Sequence, residues 1–183
     1  MPTYQPIHNL TYQFWPDKSL LLQEALERYE LGDYRDFQTQ AGIEANHPCY
    51  VFWTEPKMET PVLSQFEENF KAAYPNLGRF LIHYFYILPF EIDWHVDNGI
   101  SKWITGWEWK CAINVILTGT DQGSEFEHYG RVEYQHAVFN TSHKHRVVDH
   151  VSTGNMRVHA RIAFRDYNYG QVIQAIKRAD KHR

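Results

Sequence analysis

The sequence contains little cysteine and no long apolar run. Its 183 residues include two cysteines, Cys49 and Cys111, which are too few for a disulfide framework and show no paired spacing for a metal. The longest apolar stretch, FLIHYFYILPF at 80–90, is too short and too polar to span a bilayer. No apolar core follows a basic start at the N-terminus, so no signal peptide is predicted. We therefore expect a cytoplasmic protein without a membrane partner.

The sequence also lacks an excess of positive charge. Lysine and arginine number 18 against 22 acidic residues, which gives a formal net charge of -4. The chain therefore has no overall positive field that would favour binding to the phosphate backbone of a nucleic acid. A basic tail, IKRADKHR at 176–183, is explained by the preference for cations at a helix C-terminus. A nucleic-acid partner is not expected. The oligomeric state is not predicted.

Internal repeats, low-complexity tracts and Gly/Ser linkers are missing as well, so the chain is expected to form a single domain, 1–183. Helical periodicity occurs in three segments, at 17–32, 60–78 and 170–183. Ser19 is the expected cap of the first helix and Gly32 its stop, whereas Thr60 is expected to cap the second, with Pro61 at its first position.

Aromatic residues are abundant, at 16%, and β-branched and aromatic runs dominate the second half of the chain. The runs are RFLIHYFYILPF, WEWKCAINVILTG, SEFEH, RVEYQHAVFNT, HRVVDHV and MRVHARIAFRD. Helices followed by consecutive short strands predict an α+β fold, with a sandwich or small barrel and helices packed outside. In this division 1–78 is mainly helical support, 79–166 is the β core and 167–183 is a C-terminal helix.

Most of the eleven histidines have no expected role. His8, His47 and His182 fall in loops or tails, and His83 fits a hydrogen-bonded core position. His95 and Asp97 differ, because residues two apart in a strand share a face and can point together at one ion.

A second source of ligands follows in FNTSHKHRVVDHVSTGNMRVHARIAF at 139–164. Two histidines and one carboxylate on one side of an iron leave open positions on the other, as in non-heme Fe(II) oxygenases. An arginine on a neighbouring strand can then bind the distal carboxylate of a dicarboxylate co-substrate.

Several residues compete for these roles. His143, His145 and His150 are all candidates for the distal histidine. Arg157 and Arg161 both qualify as the co-substrate anchor and share a strand face with His159. Either this stripe of three lines a pocket or it faces solvent.

Three further side chains are singled out. Asn114 is a polar residue in an apolar strand that either reaches the co-substrate or is satisfied in the core. Trp94 is expected to face away from the site. Three tryptophans at 103, 107 and 109 form either a lid or substrate platform, or a packed cluster under a loop.

Four stretches together resemble the Fe(II)- and 2-oxoglutarate-dependent oxygenase superfamily, most of all its prolyl-hydroxylase-like and aspartyl/asparaginyl-hydroxylase-like branches, including small phage-type members. They are FYILPFEIDWHVDNG, INVILTGTDQGSEFEHYG, VEYQHAVFNTSHKHRVV and MRVHARIAF. The resemblance implies a double-stranded β-helix, the jelly-roll or cupin-like core. It also implies iron ligation by His95, Asp97 and His145, in preference to His143, because NTSHKHRV matches the family pattern.

The same resemblance implies that Arg157 holds the C5 carboxylate of 2-oxoglutarate and that O2 is consumed. Aspartyl/asparaginyl hydroxylases often lack the carboxylate ligand, so the presence of Asp97 makes the full triad of the wider superfamily the better template. The implied activity is hydroxylation of an amino-acid side chain, free or in a peptide or protein, with proline and Asp/Asn the leading substrates.

Two other functions are compatible with these residues. One is a cupin-type metal-binding protein or isomerase that uses no 2-oxoglutarate. The other is a nucleobase oxidase, in which the basic tail and the tryptophan loop hold an unstacked base, although the net acidity argues against it.

Overall fold

The computed structural model describes residues 5–32, 35–36, 49–53, 60–88, 92–97, 109–118, 123–148 and 155–183. These residues contain three helices and eleven strands. The helices are α1 (Lys18–Glu30), α2 (Pro61–Ala73) and α3 (Tyr169–Asp180). The strands are β1 (Ile7–Asn9), β2 (Arg35–Asp36), β3 (Cys49–Trp53), β4 (Phe80–Ile87), β5 (Ile92–His95), β6 (Cys111–Ile116), β7 (Gly123–Phe126), β8 (Gly130–Glu133), β9 (His136–Phe139), β10 (His145–Val148) and β11 (Arg157–Phe164).

The strands form two antiparallel sheets. One has seven strands in the order β1-β9-β6-β11-β4-β3-β2, and the other has four in the order β5-β10-β7-β8. The expected α+β class, with a sheet-on-sheet core, is confirmed. No helix in the described part of the chain is both long and apolar enough to cross a bilayer.

The central strand β11 shows how the core is divided. Its even-numbered residues, from Val158 to Phe164, belong to a large apolar cluster that includes Leu21, Phe66 and Val172 from the three helices. Its odd-numbered residues face the other way, because side chains alternate along a strand. Three of them, Arg157, His159 and Arg161, line a cavity together with Val147 of the smaller sheet. The helices therefore cover one face of the larger sheet, and the cavity lies on the other.

One of the three expected helix starts is wrong, and another lacks the side-chain bond of a cap. The first helix is capped by Asp17, whose carboxylate accepts the Ser19 N–H at 2.8 Å, so the prediction of Ser19 as the cap was wrong. The second helix begins at Pro61 as predicted, but the Thr60 side chain makes no capping hydrogen bond. The third begins at Tyr169, after a reciprocal capping box between Asn168 and Gln171.

The predicted β runs of the second half all contain strands, with RVEYQHAVFNT forming two, β8 and β9. The N-terminal segment contributes three strands that the sequence pattern did not indicate. They are β1, which pairs with β9, and β2 and β3, which extend the larger sheet beyond β4.

Candidate metal centre

Three side chains with metal-binding atoms meet between the ends of two strands of the smaller sheet. His95 ends β5 and His145 begins β10, and the two are directly paired across the antiparallel ladder. Oδ1 of Asp97 lies 3.4 Å from Nε2 of each imidazole. The structure therefore brings the three predicted ligands together, with their donor atoms within 4.8 Å of one another.

The structural feature that positions Asp97 differs from the one expected. Strand β5 ends at His95, so alternation within a strand does not place the carboxylate, and that part of the prediction was wrong. Instead, the backbone N–H of Asp97 donates to the carbonyl of Thr141 at 3.0 Å. The buried Thr141 hydroxyl in turn donates to the carbonyl of Trp109 at 2.7 Å. These bonds fix the chain just beyond β5.

The orientation of His145 suits a metal ligand. Its Nδ1 lies 2.8 Å from the carbonyl oxygen of His143, and since a carbonyl can only accept, Nδ1 carries the proton. The lone pair is then on Nε2, which faces Asp97. Burial lowers the pKa of His145 below its ordinary value of 6.5, so this imidazole is neutral at pH 7, the state that binds metals.

His143 is turned elsewhere. Its Nε2 donates to the carbonyl of Glu127 at 2.9 Å, and its ring packs edge-on against Tyr129. Of the two candidates for the distal position that the structure describes, His145 is the one that lies beside Asp97. His150 lies outside the described residues, as does His47.

The carboxylate of Asp97 is also held by an arginine. Nη2 of Arg161 donates to Oδ2 at 2.6 Å, and the side chains of both residues are largely buried, with 4% and 16% exposed. Burial alone would raise the pKa of Asp97, but the positive charge of Arg161 beside it holds that pKa well below its usual range. The carboxylate is therefore ionised at neutral pH.

The other arginine on the same strand face occupies a different part of the cavity. Arg157 is fully buried, and its Nε donates to Nε2 of His159 at 2.9 Å. Its Nη1 donates to the carbonyl of Gly123 at 3.0 Å, and its guanidinium lies 5.5 Å from the centre of the Tyr134 ring. Gly123 pairs with Val148, whereas His145 pairs with Phe126, so Arg157 is bonded at the other end of β10 from His145.

The stripe formed by Arg157, His159 and Arg161 lines the cavity and does not face solvent. Asn114 of β6 pairs with Arg161 across the sheet and is 3% exposed. Its Oδ1 has no hydrogen-bond partner among the described residues, and the side chain lines the same cavity. The expectation of a fully satisfied core asparagine does not fit this environment.

Some participants were not identified from the sequence. His159 was assigned only to the inward stripe, although it accepts a hydrogen bond from Arg157, and Tyr134 and Thr141 were not considered. The sequence signal for His159 was its position in the period-two pattern, whereas the contacts of Thr141 involve backbone groups that no pattern specifies.

The tryptophans divide as follows. Trp94 carries the guanidinium of Arg146 over its ring at 5.0 Å. Trp109 is buried against His83 and Arg161, so this member of the trio is packed. The tryptophans at 103 and 107 lie outside the described residues.

The donor set fits a divalent transition metal. Two neighbouring ligands at about 2.1 Å from one ion lie roughly 3 to 3.5 Å apart, close to the 3.4 Å that separates Oδ1 of Asp97 from each Nε2. Two imidazoles and one carboxylate are the set typical of non-heme Fe(II). One imidazole and the carboxylate also have the outer hydrogen bonds that orient such ligands.

Neither a family model nor a curated protein sequence matches this chain. Solved structures do. A prolyl-4-hydroxylase from Pseudomonas putida superposes with a TM-score of 0.53 and 14% identity, over 88% of this chain and 92% of that one. An oxidoreductase of the 2OG-Fe(II) oxygenase family from Burkholderia pseudomallei gives a TM-score of 0.45 and 11% identity, over 88% and 97%. The chain therefore has the fold of the Pseudomonas putida prolyl-4-hydroxylase.

Proposed function

We propose that this protein is an Fe(II)- and 2-oxoglutarate-dependent dioxygenase whose two sheets form a double-stranded β-helix. The observation that carries the proposal is that the donor atoms of His95, Asp97 and His145 converge in a cavity that Arg157 also lines. The likeness in fold to a prolyl-4-hydroxylase supports it.

The electrostatics of the cavity favour an anionic co-substrate. The described side chains that line it include one carboxylate, Asp97, and two guanidinium groups, Arg157 and Arg161. A divalent ion would add further positive charge, and a dicarboxylate offsets it while forming charge-assisted hydrogen bonds with a guanidinium. Arg157 is the better anchor, because Arg161 is bonded to Asp97, whereas Arg157 donates to the His159 ring and to the Gly123 carbonyl.

Different residues would bind the metal and the co-substrate. His95, Asp97 and His145 would hold the iron, Arg157 would hold the C5 carboxylate of 2-oxoglutarate, and Asn114 would contact the same co-substrate. When bound, iron and 2-oxoglutarate would supply the oxidising chemistry, in which a substrate C–H group, O2 and 2-oxoglutarate give the hydroxylated substrate, succinate and CO2. The cavity measures ≈ 40 Å³, room for about one water, so co-substrate binding requires side chains to move, and the bonds from Arg157 to His159 and Gly123 are the ones that a carboxylate replaces.

The substrate is proposed at the level of its chemical class. We infer an amino-acid side chain, free or in a peptide or protein. A prolyl residue is the first to test, because the neighbour from Pseudomonas putida is a prolyl-4-hydroxylase, and Asp or Asn side chains follow.

The test uses Mn(II) in place of iron, so that binding is measured without turnover. We expect 2-oxoglutarate to raise the melting temperature of the Mn(II) protein and Arg157→Ala to abolish that rise, with Arg157→Lys retaining part of it. Arg165→Ala, at an exposed position just beyond β11, is the matched control. If Mn(II) binds but 2-oxoglutarate has no effect on the wild type, the protein is a metal-binding protein of cupin type and the oxygenase proposal is wrong.

A further inference from the structure

The two arginines of β11 contact different parts of the cavity, although they share one strand face. Arg161 lies opposite the metal-ligand side of Asp97, with its Nη2 on Oδ2 at 2.6 Å, while Oδ1 faces the two imidazoles. One carboxylate oxygen thus points toward the candidate metal position and the other toward a cation.

The guanidinium of Arg161 packs against two aromatic rings. Its central carbon lies 5.1 Å from the ring centre of Phe85 and 5.2 Å from that of Trp109. His83 packs on Trp109 with ring centres 5.1 Å apart, which continues the stack. Planar guanidinium groups pack favourably on aromatic faces, and with 4% of its side chain exposed Arg161 has little freedom to leave Asp97.

Resting on the proposed metal centre, we propose that Arg161 is a positioning residue for that centre: by holding Oδ2 of Asp97, it leaves Oδ1 as the single oxygen offered to the ion. The Asp97 carboxylate is thereby oriented before the metal binds, and ligation of the metal by both of its oxygens is prevented. Outer hydrogen bonds of this kind orient first ligands, and their loss typically weakens metal binding by about 10- to 100-fold.

The positive charge of Arg161 affects metal affinity in the opposite direction. Arg161 carries a positive charge close to the position of a divalent ion, so charge repulsion alone predicts that its removal tightens metal binding. The carboxylate of Asp97 lies between the two cations and offsets part of this repulsion. Orientation and repulsion therefore make opposite predictions, and one titration separates them.

The experiment titrates Mn(II) and Co(II), each alone, into wild type, Arg161→Met and Arg161→Lys by calorimetry. We expect Arg161→Met to weaken metal binding about 10- to 100-fold, and Arg161→Lys to fall between it and the wild type, because an ammonium can still donate to Oδ2 but lacks the planar stack. The absorption spectrum of bound Co(II) is the second readout. It should change in Arg161→Met as Asp97 binds through both oxygens, a change that a general loss of stability does not produce.

The controls separate this inference from the proposed function. Arg165→Met, at an exposed position just beyond β11, should bind both metals as the wild type does. If Arg161→Met fails to fold by circular dichroism, Arg161→Lys carries the test through its affinity and Co(II) spectrum. If the folded Arg161 variants keep the metal affinity and the Co(II) spectrum of the wild type, or bind metal more tightly, the positioning role of Arg161 is overturned and the metal centre is not. A wild type that binds neither metal overturns the metal centre and this inference with it.

Discussion

A buried carboxylate on the helix side of the larger sheet makes a testable contribution to the framework that carries the site. Glu24 of α1 is 6% exposed, and its two oxygens accept the backbone N–H groups of Val62 and Leu63 at 2.8 and 2.9 Å. They also accept the hydroxyl of Tyr84 at 2.8 Å. Because the Thr60 side chain makes no capping bond, Glu24 caps the start of α2 from another helix and ties both helices to β4.

The substitution Glu24→Gln keeps the shape but turns one acceptor oxygen into a donor. At least one charge-assisted hydrogen bond is lost, worth about 1.5 to 3 kcal/mol, and so is a negative charge at a helix N-terminus, worth about 0.3 to 1 kcal/mol. We expect the free energy of unfolding to fall by roughly 2 to 4 kcal/mol. Part of this is returned because a neutral group is less costly to bury, so the lower end is the safer value.

Urea denaturation at pH 7 measures the effect, with Glu30→Gln on the exposed face of α1 as the control, expected within about 0.5 kcal/mol of the wild type. A cycle with Tyr84→Phe then tests the hydroxyl bond, and a coupling of about 0.5 to 3 kcal/mol is expected for partners in contact. Equal midpoints for Glu24→Gln and Glu30→Gln, or strict additivity with Tyr84→Phe, would show that the carboxylate does not cap α2.

Two further predictions concern histidines. We expect His145→Gln to abolish Mn(II) binding and His143→Gln to leave it within about twofold, because only the first imidazole reaches Asp97; equal losses in calorimetric titrations contradict this assignment. Burial, with a smaller effect of Arg161, holds the pKa of His83 well below 6.5, so as the pH falls through 6.5 the unfolded chain takes up the proton first and stability declines. Between pH 7 and 5 this one group costs on the order of 2 kcal/mol if it stays neutral in the fold. In urea denaturation at the two pH values, His83→Phe should reduce the fall in the free energy of unfolding between pH 7 and 5 by that amount. If the fall is the same as in the wild type, protonation of His83 does not cause it.

The sequence predicted most of the β core because alternation is a local property. In β11 it separates Val158 and Ile162, which pack under the helices, from Arg157 and Arg161, which line the cavity. The same alternation cannot tell the two arginines apart, since both are on one face. Only contacts from other elements, the Asp97 carboxylate in one case and the Gly123 carbonyl in the other, assign them different roles.

The elements that the sequence did not indicate depend on distant partners. Strands β1 and β2 have three and two residues, too few to show a period, and they exist as additions to the edges of a sheet formed elsewhere. The cap of α2 comes from Glu24, 38 residues before Val62, so no local motif could reveal it. At α1, Asp17 and Ser19 are both good capping residues, and the backbone geometry at the first turn selects Asp17.

The two faces of the larger sheet have opposite effects on stability. Toward the helices the strands bury an almost wholly apolar cluster, which stabilises the fold roughly in proportion to its area. Toward the cavity the same strands bury Arg157, His159 and Arg161, and burying charged groups opposes folding unless each is bonded well. The helix side therefore supports a polar cavity that would not form a stable core on its own. Glu24 bonds α2 and β4 on the helix side, so it is expected to stabilise the layer that supports the cavity.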